Sequence, residues 1–438
     1  MIEFRARFPT IKSRDFEKET IIKKFLLHPV GSAGDVYPFV GLGLALKSRG
    51  HDVTVLTSGY FRETVERVGL KFVDTLPKDD FLKLAGNPNL WHPVWGAGTL
   101  LKSMDRSLLK RCYSEIEKRY EPGNTVLLTP CIGFAGKLAH EVLGIPLITV
   151  ALQPALLWSQ YDSPVLDGVA KWAPIWLKRL QYFLAERLLV DPNILPTLNG
   201  LRKELGLKTI SGITSWWLSP QCILCMFPEW YAPRQPDWSD AVRYSQFPLW
   251  NENESESLPD DVTQFLNDGE KPIVFTPGSA NMYGESFFAV AAEACQQIGR
   301  RGMLFSKFRE QLPDSLPVGV EHFKYAPFNR LLPHCAAICH HGGIGTLANA
   351  LAAGIPQLIM PFTYDQPDNA ARIRRLGVGD SLKKRKFRTP EVVAKLQYLL
   401  SDDAIRQACQ SYSNEIQSAD PFAETCSLAE SMLELKGG

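Results

Sequence analysis

The chain carries almost no net charge: 48 lysines and arginines stand against 47 aspartates and glutamates, leaving +1 at pH 7. That balance supplies no field strong enough to favour nucleic acid or an acidic surface, so nucleic acid is not an expected partner. Long apolar runs are missing as well. None reaches the roughly eighteen uncharged residues that a spanning helix needs, which leaves only peripheral membrane contact open. Residues 1–24 mix Arg, Glu, Asp and Lys without an apolar stretch and do not fit a secretory signal. The nine cysteines are scattered, and beside Cys222 and Cys225 no second Cys-x-x-Cys pair occurs. Reduced thiols in a cytoplasm are therefore expected, with Cys222-Ile223-Leu224-Cys225 as a buried strand. Residue-level repeats and low-complexity tracts are absent, which excludes solenoids.

What is present is alternation. Residues 21–27, 51–57, 69–73, 125–129 and 145–150 are short apolar runs separated by glycine-containing turns and helical patterns such as 37–49, where Gly50 suits the C-terminal cap. Parallel strands wound by helices are the economical architecture. Periodicity fades over 228–259, rich in proline, tryptophan and acids, and restarts at Lys271-Pro272-Ile273-Val274-Phe275-Thr276. The expected division is an extension over 1–20, a first domain over 21–232, a linker over 233–270, a second domain over 271–415 and a terminal helix over 416–438. With 438 residues there is length for two cores. Two doubly wound α/β domains facing one another leave a cleft, with ligands expected at the carboxyl ends of the strands. The basic run 383–388 precedes Thr389-Pro390, which reads as a helix N-cap and first turn.

Cys339-His340-His341-Gly342-Gly343-Ile344-Gly345-Thr346 lies between a strand-like and a helix-like segment. Glycines there permit close backbone approach, a helix start offers unpaired N–H groups, and His341 and Thr346 can add hydrogen bonds, a combination suited to a diphosphate. Asp365 and Gln366 follow at the next strand end. A carboxylate that accepts from two hydroxyls and an amide that both donates and accepts suit a hexose.

From Tyr325-Ala326-Pro327-Phe328 through these residues to Gly377-Val378-Gly379, the order and approximate spacing resemble the nucleotide-sugar signature of GT-B glycosyltransferases of family 1, near the sterol and antibiotic branch. The loop His28-Pro29-Val30-Gly31-Ser32-Ala33-Gly34-Asp35 is similar to the first loop of families 1 and 28, with Asp35 where a catalytic His or Asp follows the second glycine. The resemblance implies a GT-B fold of two Rossmann-like domains and an inverting transfer of a hexose, with glucose from UDP-glucose as the first expectation. The acceptor would be a hydroxyl on a hydrophobic small molecule. Ser279, His341, Gly342, Gly343, Gly345, Thr346 and, more weakly, Ser32 would bind the donor diphosphate, Asp365 and Gln366 the sugar, and Tyr325, Phe328 and Asn349 the nucleoside. The terminal helix would cross back to the first domain. No Asp-x-Asp triplet occurs, so a metal-independent reaction is expected, without a cofactor beyond the sugar donor.

Alternatives stand beside several of these roles. Asp35 could be the general base, the N-cap of a helix beginning near Val36, or both. His28 could assist Asp35 or be structural, and Phe328 could be core. Trp91, Trp95, Trp158, Tyr161, Trp172 and Trp176 suggest an apolar acceptor pocket, and residues 171–187 interleave bases with aromatics, as either an interfacial helix or one packed on the acceptor lobe. A monomer or homodimer is expected. A nucleotide-sugar 2-epimerase or a non-catalytic helper of a partner transferase are the competing functions.

Overall fold

The computed structural model describes residues 22–92, 95–165, 172–250, 257–278 and 284–434. Ser279, the 1–20 extension and the side chain of Trp91 lie outside the described residues. The first sheet contains β1 (Lys24–Leu27), β2 (Asp52–Ser58), β3 (Lys71–Leu76), β4 (Thr125–Pro130), β5 (Leu147–Ala151), β6 (Cys222–Cys225) and β7 (Val242–Tyr244). Its order is β3-β2-β1-β4-β5-β6-β7. The second contains β8 (Ile273–Thr276), β9 (Gly302–Phe305), β10 (Val320–Phe323), β11 (Ala337–His340), β12 (Gln357–Ile359) and β13 (Gly379–Ser381), in the order β10-β9-β8-β11-β12-β13. All pairings are parallel. Central strands such as β5 and β8 are buried at every residue, which is why they are spelled as continuous apolar runs; the edge strand β3 is mixed.

Strand order reverses between β1 and β4 and again between β8 and β11. Loops leaving neighbouring strands there part to opposite faces and open a crevice. The loop after β1 feeds the opening helix Ala33–Ser48, and the loop after β11 feeds the helix Ile344–Ala353. Both motif loops are therefore carried at the switch points of their sheets.

Three expectations need correction. The opening helix begins at Ala33, with Ser32 as N-cap, so Asp35 is the third helical residue and not the cap. The 233–270 stretch is not all linker: Val242–Tyr244 pairs with β6, and the helix Asp260–Asn267 places Val262 and Phe265 in a core around β9 and β10. Thr389 is likewise inside its helix, behind the N-cap Arg388, and its hydroxyl donates to Glu293 Oε2.

The units share a core. Ala151, Cys225, Phe227, Tyr231 and Phe247 belong to the same apolar cluster as Ile273, Phe275 and Leu347. The terminal helix Ala423–Ser431 contributes Cys426 and Ala429, with the following Met432, to the core of the first sheet, and Glu430 meets Arg49 at 3.0 Å and His51 at 2.9 Å. Burial of those apolar groups fixes the helix more than the partly exposed ion pairs do. All nine cysteines are free and buried; burial pushes the Cys222 thiol up to about 12, so it stays protonated.

Candidate active site

The first switch point presents Asp35. Its Oδ2 accepts from Ser32 N at 2.8 Å and Ser32 Oγ at 3.0 Å, so the cap of the helix and the carboxylate hold one another. Gly31 makes this geometry accessible: its φ is +133°, and a Cβ there would stand 2.3 Å from Asp35 Oδ2. Burial pushes the Asp35 carboxyl above its ordinary range, opposed by the two bonds from Ser32. A raised value improves a carboxylate as a base. Ser32, expected to touch phosphate, has its hydroxyl hydrogen directed at Asp35 instead.

His28 is packed against β4. It is 2% exposed, and burial lowers its imidazole to about 4. Thr129 Oγ1 gives its only hydrogen to His28 O at 2.8 Å, so the 3.1 Å contact to His28 Nδ1 requires a proton on that nitrogen. The ring is thereby fixed as a neutral tautomer against β4.

The second switch point is built around two histidines with different duties. His340 is fully buried; its Nδ1 accepts from Gly342 N at 3.1 Å, which leaves Nε2–H to donate to Gln357 Oε1 at 2.9 Å. It shapes the turn from within. His341 is half-buried, and its Nδ1 is enclosed without a hydrogen-bond partner among the described residues. Burial lowers it to about 4, so the ring is neutral near pH 7 and keeps one N–H to offer. A Cβ at Gly278 would lie 2.7 Å from His341 Cε1, and one at Gly343 would lie 2.5 Å from Nε2. These glycines make room for the imidazole. Gly345, by contrast, faces open space at the exposed first turn.

Gly278 also has φ +94°, so Gly278→Ala combines backbone strain with a clash on His341. Thermal denaturation should show a loss of ~1–2 kcal/mol or more, and titration with nucleoside diphosphate should show weakened binding. Unchanged values for both would remove His341 from the proposed anion cradle.

Asp365 opens the helix Gln366–Arg375, directly after Tyr364, the only non-glycine residue with positive φ (58°) among the described residues. The Tyr364 hydroxyl donates to Leu90 O of the first unit. Burial pushes Asp365 up to about 7; a 2.6 Å bond from Asn369 Nδ2 opposes this, and the charges of Asp35 and Asp368 add to it. The charge of Asp35 also adds to the upward shift of the Tyr364 hydroxyl, which burial mainly causes. The two switch points meet at a small pocket lined by Gly34 and Pro38 of the opening helix, Ile344, Gly345 and Ala348 of the facing helix, and Leu152, Phe247 and Pro248.

The remaining candidates are placed as follows. Gln366 is 6% exposed and turns its Oε1 back to Phe362 N at 2.8 Å and Thr363 N at 3.3 Å, closing its own turn. Asn349 is 8% exposed, and its amide nitrogen returns to Gly345 O at 2.8 Å. Phe328 packs edge-on to Phe305, as the core alternative has it, whereas Tyr325 is exposed on the loop after β10. Thr346 is half-buried in the first turn of its helix. On the acceptor side, the Trp158 ring lies tilted against that of Tyr182 at 5.2 Å, while Trp95, Tyr161, Trp172 and Trp176 are exposed. The helix Ile175–Ala185 is anchored by the polar tips of Lys178 and Tyr182, which donate to Gln160 O and Ser159 O; Trp176, Leu180, Phe183 and Leu184 face outward. The helix is packed on the acceptor lobe through Lys178 and Tyr182, and its outward apolar face is exposed among the described residues. No helix among the described residues is long and apolar enough to cross a membrane.

Residues 25–155 match the glycosyltransferase family 28 N-terminal domain, and residues 304–432 match the erythromycin biosynthesis protein CIII-like C-terminal domain. Glycosyltransferase GtfC of Amycolatopsis orientalis is 30% identical over 372 residues, covering 82% of this chain and 86% of the relative. The chain belongs to the family 1/28-like GT-B glycosyltransferases. This glycosyltransferase is also 25% identical to the O-mycaminosyltylonolide 6-deoxyallosyltransferase of Streptomyces fradiae, over 94% of its own length and 98% of the relative. The fold of spinosyn rhamnosyltransferase SpnG, solved with thymidine diphosphate, overlays it with a TM-score of 0.66 at 20% identity, covering 92% of this chain and 99% of that one.

Proposed function

We propose that the enzyme transfers a hexose from a nucleoside diphosphate hexose to a hydroxyl of a hydrophobic small molecule by one inverting displacement. The observation that carries this reading is the facing of two helix starts across one pocket, Gly34 and Pro38 beside Asp35 on one side and Ile344, Gly345 and Ala348 on the other. Asp35 takes the acceptor proton as the hydroxyl oxygen bonds to the anomeric carbon. The bond from that carbon to the diphosphate oxygen breaks on the opposite side, and its electron pair leaves with the nucleoside diphosphate. The His341 N–H and the N–H groups at the start of Ile344–Ala353 meet the developing charge. Ser279, next to Gly278 in sequence, would add a hydroxyl to the same anion. Asp365 accepts from sugar hydroxyls, and Gln366 retains its amide nitrogen as the donor for the same purpose. Tyr325 offers an exposed ring to the base.

The exposed aromatics of the acceptor side favour a polyketide, sterol or phenol. The relatedness to an enzyme named for a tylonolide acceptor points the same way. UDP-glucose is the first donor to try, with thymidine-diphosphate hexoses beside it because the SpnG structure holds that nucleotide. Mass spectrometry after incubation with these donors, an acceptor panel and EDTA should find a hexose increment on an acceptor. Tight nucleotide binding with neither product nor donor hydrolysis would favour the helper function instead.

A further inference from the structure

We propose that Asn369 is a positioning residue that locks the Asp365 carboxylate to the diphosphate-binding turn, and that the Tyr231 hydroxyl anchors its amide from the core side. This deepens the reading of Asp365 as the sugar-binding carboxylate and rests on it. Asn369 is 0% exposed and cannot reach a ligand. Its Nδ2 lies 2.9 Å from Gly342 O and 2.6 Å from Asp365 Oδ2, so both amide hydrogens have acceptors. Its Oδ1 lies 2.9 Å from the Tyr231 hydroxyl, itself 0% exposed in the shared core. A flipped amide would point Oδ1 at a carbonyl and a carboxylate and leave both without a donor. The acceptor-only Gly342 carbonyl and Asp365 carboxylate select the working orientation, and the Tyr231 O–H completes it by donating to Oδ1.

One amide therefore spans the turn at His341-Gly342-Gly343 and the carboxylate at Asp365, fixing the spacing between the diphosphate and hexose subsites. A donor must match that spacing with its sugar hydroxyls. The arrangement also holds one carboxylate oxygen, leaving the other to accept from the sugar. The charges that act on Asp365 are those of Asp35 on the opening helix and Asp368 on its own helix, the latter paired with Arg372 at 2.7 Å. The bond from Asn369 favours the ionised form against both negative neighbours.

The test compares Asp365→Asn, Asn369→Ala and Tyr231→Phe for kcat and KM with two donors epimeric at one hexose hydroxyl, across pH, with nucleoside diphosphate affinity as control. Asn369→Ala should raise donor KM ~10–100-fold, compress the epimer preference and move the acid limb of kcat/KM to higher pH. Tyr231→Phe should do the same to a smaller degree, with nucleotide affinity held within about twofold. Should Asn369→Ala fail to fold, Tyr231→Phe carries the test alone. If Asp365→Asn abolishes the epimer preference while the other variants leave preference and pH limb unchanged, the positioning role is wrong and the sugar-binding reading stands. If Asp365→Asn itself leaves the preference intact, the reading falls and takes the inference with it.

Discussion

Asparagine in place of Asp35 is expected to lower turnover by ~10²–10⁴, the usual contribution of a positioned general base, with nucleotide affinity unchanged. The substitution separates chemistry from structure. Asp35 accepts from Ser32 N and Ser32 Oγ at the start of the opening helix, and an asparagine oxygen can accept the same two bonds. It cannot take the acceptor proton. Rates at saturating donor and acceptor, with calorimetry of nucleoside diphosphate binding, check both halves. Near-normal turnover with normal binding would leave Asp35 only its structural part in the first turn. Ser32→Ala offers a graded companion: it removes one bond that lowers the Asp35 pKa, so the acid limb of kcat should move to higher pH. The sign follows from the base being active when ionised and from the variant holding its proton more tightly.

The strands were legible because parallel strands buried on both faces must be apolar throughout, as β5 and β8 are. β7 was not, because three residues at a sheet edge, Val242–Tyr244, have no room to show a period among prolines and tryptophans. In the motif loops the sequence located the functional positions but not the direction of their amides. Gln366 and Asn349 both turn to backbone groups within four residues, a choice that local geometry makes and residue identity does not reveal. Asn369 sat within the motif without an evident task because Tyr231, whose hydroxyl donates to its Oδ1, is 138 positions away. The glycines were legible as a close approach, but what approaches Gly278 and Gly343 is the His341 ring, and only the folded chain shows that.

The complementary result is expected for His341→Ala: a fall in kcat of ~10²–10³, the scale of losing one donor from a site of developing negative charge. The argument rests on protonation. Burial holds the imidazole near 4, so at pH 7 the free enzyme presents a neutral ring with one N–H. A bound diphosphate opposes that burial effect and draws the ring towards its cationic form as charge builds on the leaving oxygen. The interaction is thus stronger in the transition state than in the donor complex, and its loss should appear in kcat and kcat/KM together. Removing the ring also leaves Gly278 and Gly343 facing a void, so some stability should go with it. His341→Gln, which keeps an N–H donor near the same place, should recover part of kcat but not the pH response. A rise in donor KM with kcat untouched would mean that His341 grips donor and transition state equally, and the burden of stabilising the leaving group would pass to the N–H groups of the Ile344–Ala353 helix start.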